Sequence, residues 1–223
     1  VPIYVDRTLK SAISIFALVY AGIPFTIIDE GTPLAYAKEL LQHLDITHPI
    51  WNVSATAFDD SSLLTLVESR LKPPESHSDD LAFVILTSGS SGAPKGVMHS
   101  RNSFFLNAPL NFFGEVIDDS YSVLSVAPFA FAMGIGALLR VIKGVTFNSL
   151  VPANYTPRQF FETIIELKPT HIILPGQFAR FISKVNFTTH IQGVREIAIG
   201  GESVRFEDVQ ALAKSFSGET IFR

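Results

Sequence analysis

The chain has no cysteine and, in 223 residues, only two methionines and one tryptophan. Without thiols it forms no disulfide, offers no cysteine nucleophile and cannot hold zinc through sulfur. That composition fits a reducing compartment, and a cytoplasmic location is expected. Charge is also sparse, at 17% of residues, with 17 Lys and Arg against 21 Asp and Glu for a formal net charge of −4. No Lys/Arg cluster gathers along the chain, so nothing favours a nucleic-acid partner. Long unbroken apolar runs are missing too. The uncharged stretches from Ser11 towards Asp29 and from Ser122 to Leu139 are broken by Gly22-Ile23-Pro24 and by Pro128, Gly134 and Gly136. Each falls short of the ~20 apolar residues that a membrane span needs. The chain begins at Val1 inside an extended apolar run, which reads as a piece of a longer polypeptide rather than a secretory leader. There is no HExxH zinc spacing among the six histidines and no G-x-S-x-G elbow, which argues against a metalloprotease or a serine hydrolase.

What the chain does have is apolar bulk: 47% hydrophobic residues, 19 of them Phe. That is enough for a sizeable core, with an excess that implies surfaces meant to be covered. Strand-like and helix-like segments alternate with short connections, the pattern of mainly parallel sheets flanked by helices. Pro2 to Val5 reads as a strand. Thr8 to Ala21 reads as a helix with Leu9, Ile13, Phe16, Ala17 and Tyr20 on its apolar face and Gly22 at its end. Phe25 to Ile28 is the next strand. Thr32-Pro33 pairs an N-cap with a first-turn proline, ahead of a stripe of Leu34, Ala37, Leu40, Leu41 and Leu44. His48 to Val53 closes the repeat. The segment 71–80, rich in Pro, Ser and acidic residues, is expected to be a linker between two sub-lobes. Further on, a helix is expected over Asn102 to Phe113, a strand over Ser122 to Ala127, a helix over Met133 to Ile142 and a strand over Val145 to Asn148. Thr156-Pro157 repeats the cap signature, with Phe160, Phe161, Ile164 and Ile165 as the buried face. Strands at His171 to Leu174 and Glu196 to Ile199 alternate with helices at Phe178 to Lys184 and Phe206 to Phe216. A last strand begins at Thr220-Ile221-Phe222.

The most informative stretch is Thr87-Ser-Gly-Ser-Ser-Gly-Ala-Pro-Lys-Gly96, entered from the apolar run Leu81 to Leu86 and left through Val97-Met98-His99, a returning strand. Gly89 and Gly92 let backbone N–H groups turn inward. Thr87, Ser88, Ser90 and Ser91 supply hydroxyls, and Lys95 adds a positive charge, together a cradle for phosphate oxygens. It is not a GxxxxGK[ST] P-loop, because Pro94 stands where the second glycine belongs and Gly96 follows Lys95. A lone His99 at a strand end serves structure more often than catalysis. The pairs Asp59-Asp60, Asp79-Asp80 and Asp118-Asp119 fall in expected loops, where solvated charge is the default.

On these residues the chain resembles the adenylate-forming enzymes, which include nonribosomal-peptide adenylation domains, acyl-CoA synthetases and luciferases. Their signature Thr-Ser-Gly-Thr-Thr-Gly-x-Pro-Lys-Gly differs from Thr87–Gly96 only by Ser at 90 and 91. Leu18-Val-Tyr-Ala-Gly22 through Asp29 and Pro33 is similar to a second family block, and Ile199-Gly-Gly-Glu-Ser203 to a third. The resemblance spans essentially the whole chain. It implies an incomplete part of the large N-terminal domain of such an enzyme, residues 1–223, without the small C-terminal domain. It implies ATP and Mg2+, and a two-step reaction in which a carboxylate attacks the α-phosphate and the acyl group then passes to CoA or to a carrier protein's phosphopantetheine. Thr87, Ser88, Gly89, Ser90, Ser91, Gly92 and Lys95 would hold the β- and γ-phosphates. Phe131, Ala132, Met133, Gly200, Gly201 and Glu202 are candidates for the adenine or acyl pocket. For Glu202, a plain place near the N-terminus of the helix that follows is an equal reading. No catalytic residue and no metal ligand is assigned.

Two departures stand out. Members that activate α-amino acids carry an Asp in a Phe-Asp-x-Ser block to pair the substrate ammonium, and here that place reads Phe131-Ala132-Met133-Gly134. A buried ammonium without a counterion is costly, so an acid lacking an α-amino group is expected. The Tyr-Gly-x-Thr-Glu block with its Mg-associated Glu should begin where the chain stops. The 223 residues alone are therefore expected to lack adenylation activity and to need the remainder of the parent domain. A fragment of a working acid–thiol ligase and a non-catalytic relic that keeps the fold both remain open.

Overall fold

The computed structural model describes residues 1–53, 79–87, 95–103, 116–151, 154–185, 187 and 189–223. The chain forms two compact units, one of residues 1–107 and 128–135, the other of 108–127 and 136–223. Residues 71–78 of the expected linker lie outside the described residues, as does the expected helix from 104 onward. The residues flanking 71–80 belong to the first unit.

The first unit is built on β1 (Pro2–Val5), α1 (Leu9–Ala21), β2 (Phe25–Asp29), α2 (Leu34–His43), β3 (Trp51–Asn52), β4 (Leu81–Thr87) and β5 (Lys95–Ser100). Its sheet runs β3-β1-β2-β4-β5. Every pairing is parallel except β4 with β5, which form an antiparallel hairpin. The apolar runs of β1, β2 and β4 carry no polar alternation, as strands buried on both faces should not. Ile3, Val5, Phe25, Ile27, Ile28 and Phe83 are accordingly buried.

Thr8 caps α1 by accepting from the Ser11 N–H at 3.3 Å, and Gly22 ends it at φ +72°, its N–H turned to the Leu18 and Val19 carbonyls. The face is rotated from the expected one. Ser11, Ile13, Ser14, Ile15, Leu18 and Val19 are buried, while Leu9 is 65% exposed and Ala17 is exposed. Hydropathy misplaced the stripe because Ser11 can go inside: its hydroxyl donates to Asp6 at 2.6 Å. In α2 the cap moves by one residue. Thr32 closes a turn onto the Asp29 carbonyl at 2.8 Å, Pro33 takes the N-cap place, and the first helical residue, Leu34, is exposed. The strand expected over His48 to Val53 shrinks to two residues.

The second unit contains β6 (Ser122–Ser125), the later part of α3 (Ala132–Leu139) with a 3-10 turn at Arg140–Lys143, and β7 (Thr146–Ser149). There follow α4 (Pro157–Leu167), β8 (His171–Pro175), α5 (Gly176–Ile182), β9 (Glu196–Gly200), α6 (Phe206–Ala213) and β10 (Ile221–Phe222). The sheet is parallel throughout, in the order β10-β9-β8-β6-β7. Its core is aromatic: Phe160, Phe161, Phe178 and Phe216 are buried together, with Phe187 and Phe222 packed against them. A complete capping box starts α4. Thr156 accepts from the Gln159 N–H, Gln159 accepts from the Thr156 N–H, and Pro157 follows the cap. The expected buried face holds at Phe160, Phe161 and Ile164 and fails at Ile165, which is 41% exposed. Phe187 and Phe216 cover Phe161, and Ile165 lies one turn beyond that cover.

Candidate functional site

The hairpin β4–β5 pairs Phe83 with His99, Val84 with Met98, Ile85 with Val97, Leu86 with Gly96 and Thr87 with Lys95. The register therefore ends with Thr87 and Lys95 face to face at the mouth of the connecting loop. The Thr87 hydroxyl donates to the Lys95 carbonyl at 3.3 Å, and both residues are exposed. Ser88, Gly89, Ser90, Ser91 and Gly92 lie outside the described residues. Because β4 runs parallel to β2, which pairs Val5 with Asp29, Thr87 stands at the sheet's carboxyl edge beside the ends of β1 and β2. Open α/β sheets take their ligands at that edge.

Two features hold the hairpin's geometry. A Cβ at Gly96 would stand 2.8 Å from Val84 Cγ1, so the glycine lets β5 lie this close to β4, while Leu44 Cδ1 would be in ordinary contact at 3.8 Å. His99 stacks flat on its cross-strand partner Phe83, rings 4.6 Å apart and 6° from parallel, and Phe83 in turn stacks on Phe25 at 5.7 Å. Burial lowers the His99 pKa below the ordinary histidine value, so the ring is neutral at pH 7. The stack packs the ring against β4.

In the second unit, β6 connects to β7 on one side while β8 lies on the other, so the strand order reverses between β6 and β8. Open α/β sheets take ligands at the carboxyl ends beside such a reversal. Pro175 at the end of β8 pairs with Gly200 at the end of β9, and Gly201 turns the chain at φ +85°. Glu202 does not serve the helix that follows it. Its carboxylate reaches back to the preceding helix and accepts the Gln177 N–H in the first turn of α5. Gly176 makes that possible, since a Cβ there would meet Glu202 Cγ and Val204 Cγ2, both at 2.9 Å. Arg180 adds a bond to the Ser203 carbonyl at 3.4 Å and lies 3.6 Å from Asp208, which also pairs with Arg205 at 3.1 Å. Gly176, Gln177 and Arg180 were missed in the sequence, where only the Pro175-Gly176 break after a strand marks them.

Phe131, Ala132 and Met133 follow β6 in the chain at the start of α3, with Phe131 56% exposed, Ala132 exposed and Met133 half-buried. They belong with residues 128–135 to the first unit. Near the opposite, amino-terminal edge of the second sheet lies a buried polar group. Tyr121 stacks on His171 at 3.9 Å, burial raises the Tyr121 pKa and lowers that of Arg140, and Glu196 pairs with Arg223 at 3.4 Å. Among the described residues no three His, Asp or Glu side chains converge on a metal position, and no helix is long and apolar enough to cross a membrane.

Thr87 in the first unit and Gly200 in the second thus stand at the carboxyl ends of strands with parallel neighbours, the edge at which doubly wound α/β proteins take ligands. A family model described as AMP-binding enzyme matches residues 1–222, and the chain belongs to that family, the adenylate-forming enzymes. Surfactin synthase subunit 2 of Bacillus subtilis is 28% identical over 239 residues, covering 100% of this chain and 7% of that protein. Nonribosomal peptide synthetase ftmPS of Neosartorya fischeri is 26% identical over 226 residues, covering 95% of this chain and 10% of that protein. Among solved structures, the NpsA N-terminal subdomain of Klebsiella oxytoca in complex with anthranilyl-AMSN superposes with a TM-score of 0.76 at 18% identity, covering 99% of this chain and 59% of that one. The luciferase-like enzyme of the mealworm Zophobas morio gives 0.74 at 17% identity, covering 99% and 58%. These two likenesses carry the fold alone. The chain therefore spans a tenth or less of those two peptide synthetases and about three-fifths of those two structures.

Proposed function

We propose that this chain is the phosphate-gripping part of an enzyme that activates a carboxylic acid with ATP and passes the acyl group to the thiol of CoA or of carrier-borne phosphopantetheine. The observation that carries this reading is the hairpin register, which sets the Thr87 hydroxyl and Lys95 at the two sides of a hydroxyl- and glycine-rich loop on the sheet's carboxyl edge. When a carboxylate oxygen bonds to the α-phosphorus, the bond to the bridging oxygen of pyrophosphate breaks and negative charge collects on the leaving group. Such a step needs fixed donors and cations rather than a protein nucleophile. Thr87, Ser88, Gly89, Ser90, Ser91, Gly92 and Lys95 supply them, and Gly200 and Gly201 let a strand end come close to the adenine or acyl group. The task assigned to this chain is the holding of phosphate oxygens. A cytoplasmic place of action goes with the absent cysteines and the use of ATP.

The substrate is an acid without an α-amino group. Phe131-Ala132-Met133 offers no carboxylate to pair an ammonium, and a buried ammonium left unpaired is costly. Pyrophosphate exchange by the full-length polypeptide that contains this chain tests both statements. Exchange with an aryl, fatty or keto acid is expected, and Lys95→Met is expected to lower it by about 100-fold or more. A plain α-amino acid that far outperforms its deaminated analogue overturns the substrate class. No exchange with any carboxylic acid overturns adenylation itself.

A further inference from the structure

We propose that Glu202 is a positioning residue: it clamps the Gly200-Gly201 turn to the start of α5 and does not act on ligand by its charge. This rests on the reading above, that the carboxyl edge of the second sheet takes the nucleotide or acyl group. The Glu202 carboxylate accepts the Gln177 N–H, and so bridges the chain leaving β9 to the helix that follows β8, the two neighbouring strands whose ends define that edge. A helix N-terminus leaves its first N–H groups without intrahelical partners, and an anionic side chain satisfies one and favours the dipole. The cap that would ordinarily do this is absent, because Pro175 stands at the N-cap and has no side-chain acceptor. Glu202 supplies it from 25 residues away. The fit is two-sided: Gly176 lacks the Cβ that would collide with Glu202 Cγ, and the Arg180 bond to the Ser203 carbonyl fastens the next residue to the same helix. The positive φ at Gly201 lets the chain turn back far enough for the carboxylate to arrive. A carboxylate already engaged in this way orients the glycine turn whose backbone approaches the ligand.

The test is ATP affinity by titration calorimetry on the full polypeptide, with amide hydrogen exchange read at Gly200–Ser203. Glu202→Ala removes the acceptor and Glu202→Asp is too short to reach, so each is expected to weaken ATP binding about tenfold and to speed exchange in the turn. Glu202→Gln keeps an acceptor oxygen and is expected to rescue both readouts to within about twofold of the parent. Gly176→Ala displaces Glu202 from a distance and is expected to match Glu202→Ala, the double variant being no worse than either single one. If Gly176→Ala does not fold, the Asp and Gln variants decide. A Gln variant as weak as the Ala variant, with Gly176→Ala silent, assigns Glu202 a charge-based ligand contact and overturns the proposal. So do variants that all bind and exchange like the parent. If the parent binds no ATP, the nucleotide reading fails, and exchange alone decides the clamp: faster in Ala and Asp supports it, unchanged in both overturns it.

Discussion

The two sheets solve different problems. The second is parallel throughout and lies under six phenylalanines, four of them buried and two packed against them, while the first ends in an antiparallel hairpin whose outer strand keeps Val97 at 46% and Met98 at 75% exposure. In the second unit Gly200, Gly201 and Glu202 sit where a buried strand stops, and the turn there is fastened to the neighbouring helix by the Glu202 carboxylate on the Gln177 N–H and by the Arg180 side chain on the Ser203 carbonyl. In the first, Thr87 and Lys95 end two strands of which only β4 is firmly in the core. Packing on one side and reach on the other follow from the same rule: a parallel strand must be covered on both faces, and an edge strand need not be.

The comparison breaks first if the aromatic core is dispensable. Phe161→Ala removes a ring with no exposed surface that stacks on Phe187 at 4.7 Å, and should cost about 3–5 kcal/mol in chemical denaturation. A loss under about 1 kcal/mol would show that the core can collapse around the gap. Next, Gly96→Ala forces a Cβ to 2.8 Å from Val84 Cγ1, and should cost about 1–3 kcal/mol while accelerating amide exchange along β4 and β5. If exchange there is unchanged, the hairpin tolerates displacement and the register does not fix Thr87 against Lys95.

Removing the cap of α4 by Thr156→Ala should cost about 1 kcal/mol, since both halves of the capping box go together. The smallest effect is the pH dependence carried by His99. Its folded pKa lies below the ordinary value of 6.5, so the unfolded chain binds the proton more readily. The stabilisation is full above that ordinary value and is lost as the pH falls through the lower folded one. His99→Phe keeps the stacked ring, and should flatten that part of the stability–pH curve, measured as denaturation midpoints from pH 7 down to 5.

Much of this was legible in the residues. The alternation of segments, the Thr156 cap, the Gly22 stop and the strand entering Thr87 are local signals, because propensity and hydrogen bonding within one turn decide them. Faces were less legible. The buried stripe of α1 turned on Ser11 and Ser14, which hydropathy counts as outward, and on an Asp6 acceptor that lets Ser11 go inside. Ile165 has the spacing of a core residue and is 41% exposed.

For the site, the sequence alone carried the proposed chemistry: four hydroxyls, three glycines and a lysine in ten residues suit the holding of anionic oxygens. Only the tertiary structure decided where Glu202 points. Its partner is 25 residues earlier, and what frees the position is the missing Cβ of Gly176, a contact between two turns that no local pattern encodes. The pairing of Thr87 with Lys95 is of the same kind. A strand's register is set by every cross-strand pair along it, here from Phe83 on His99 to Leu86 on Gly96, and not by the loop that the register serves.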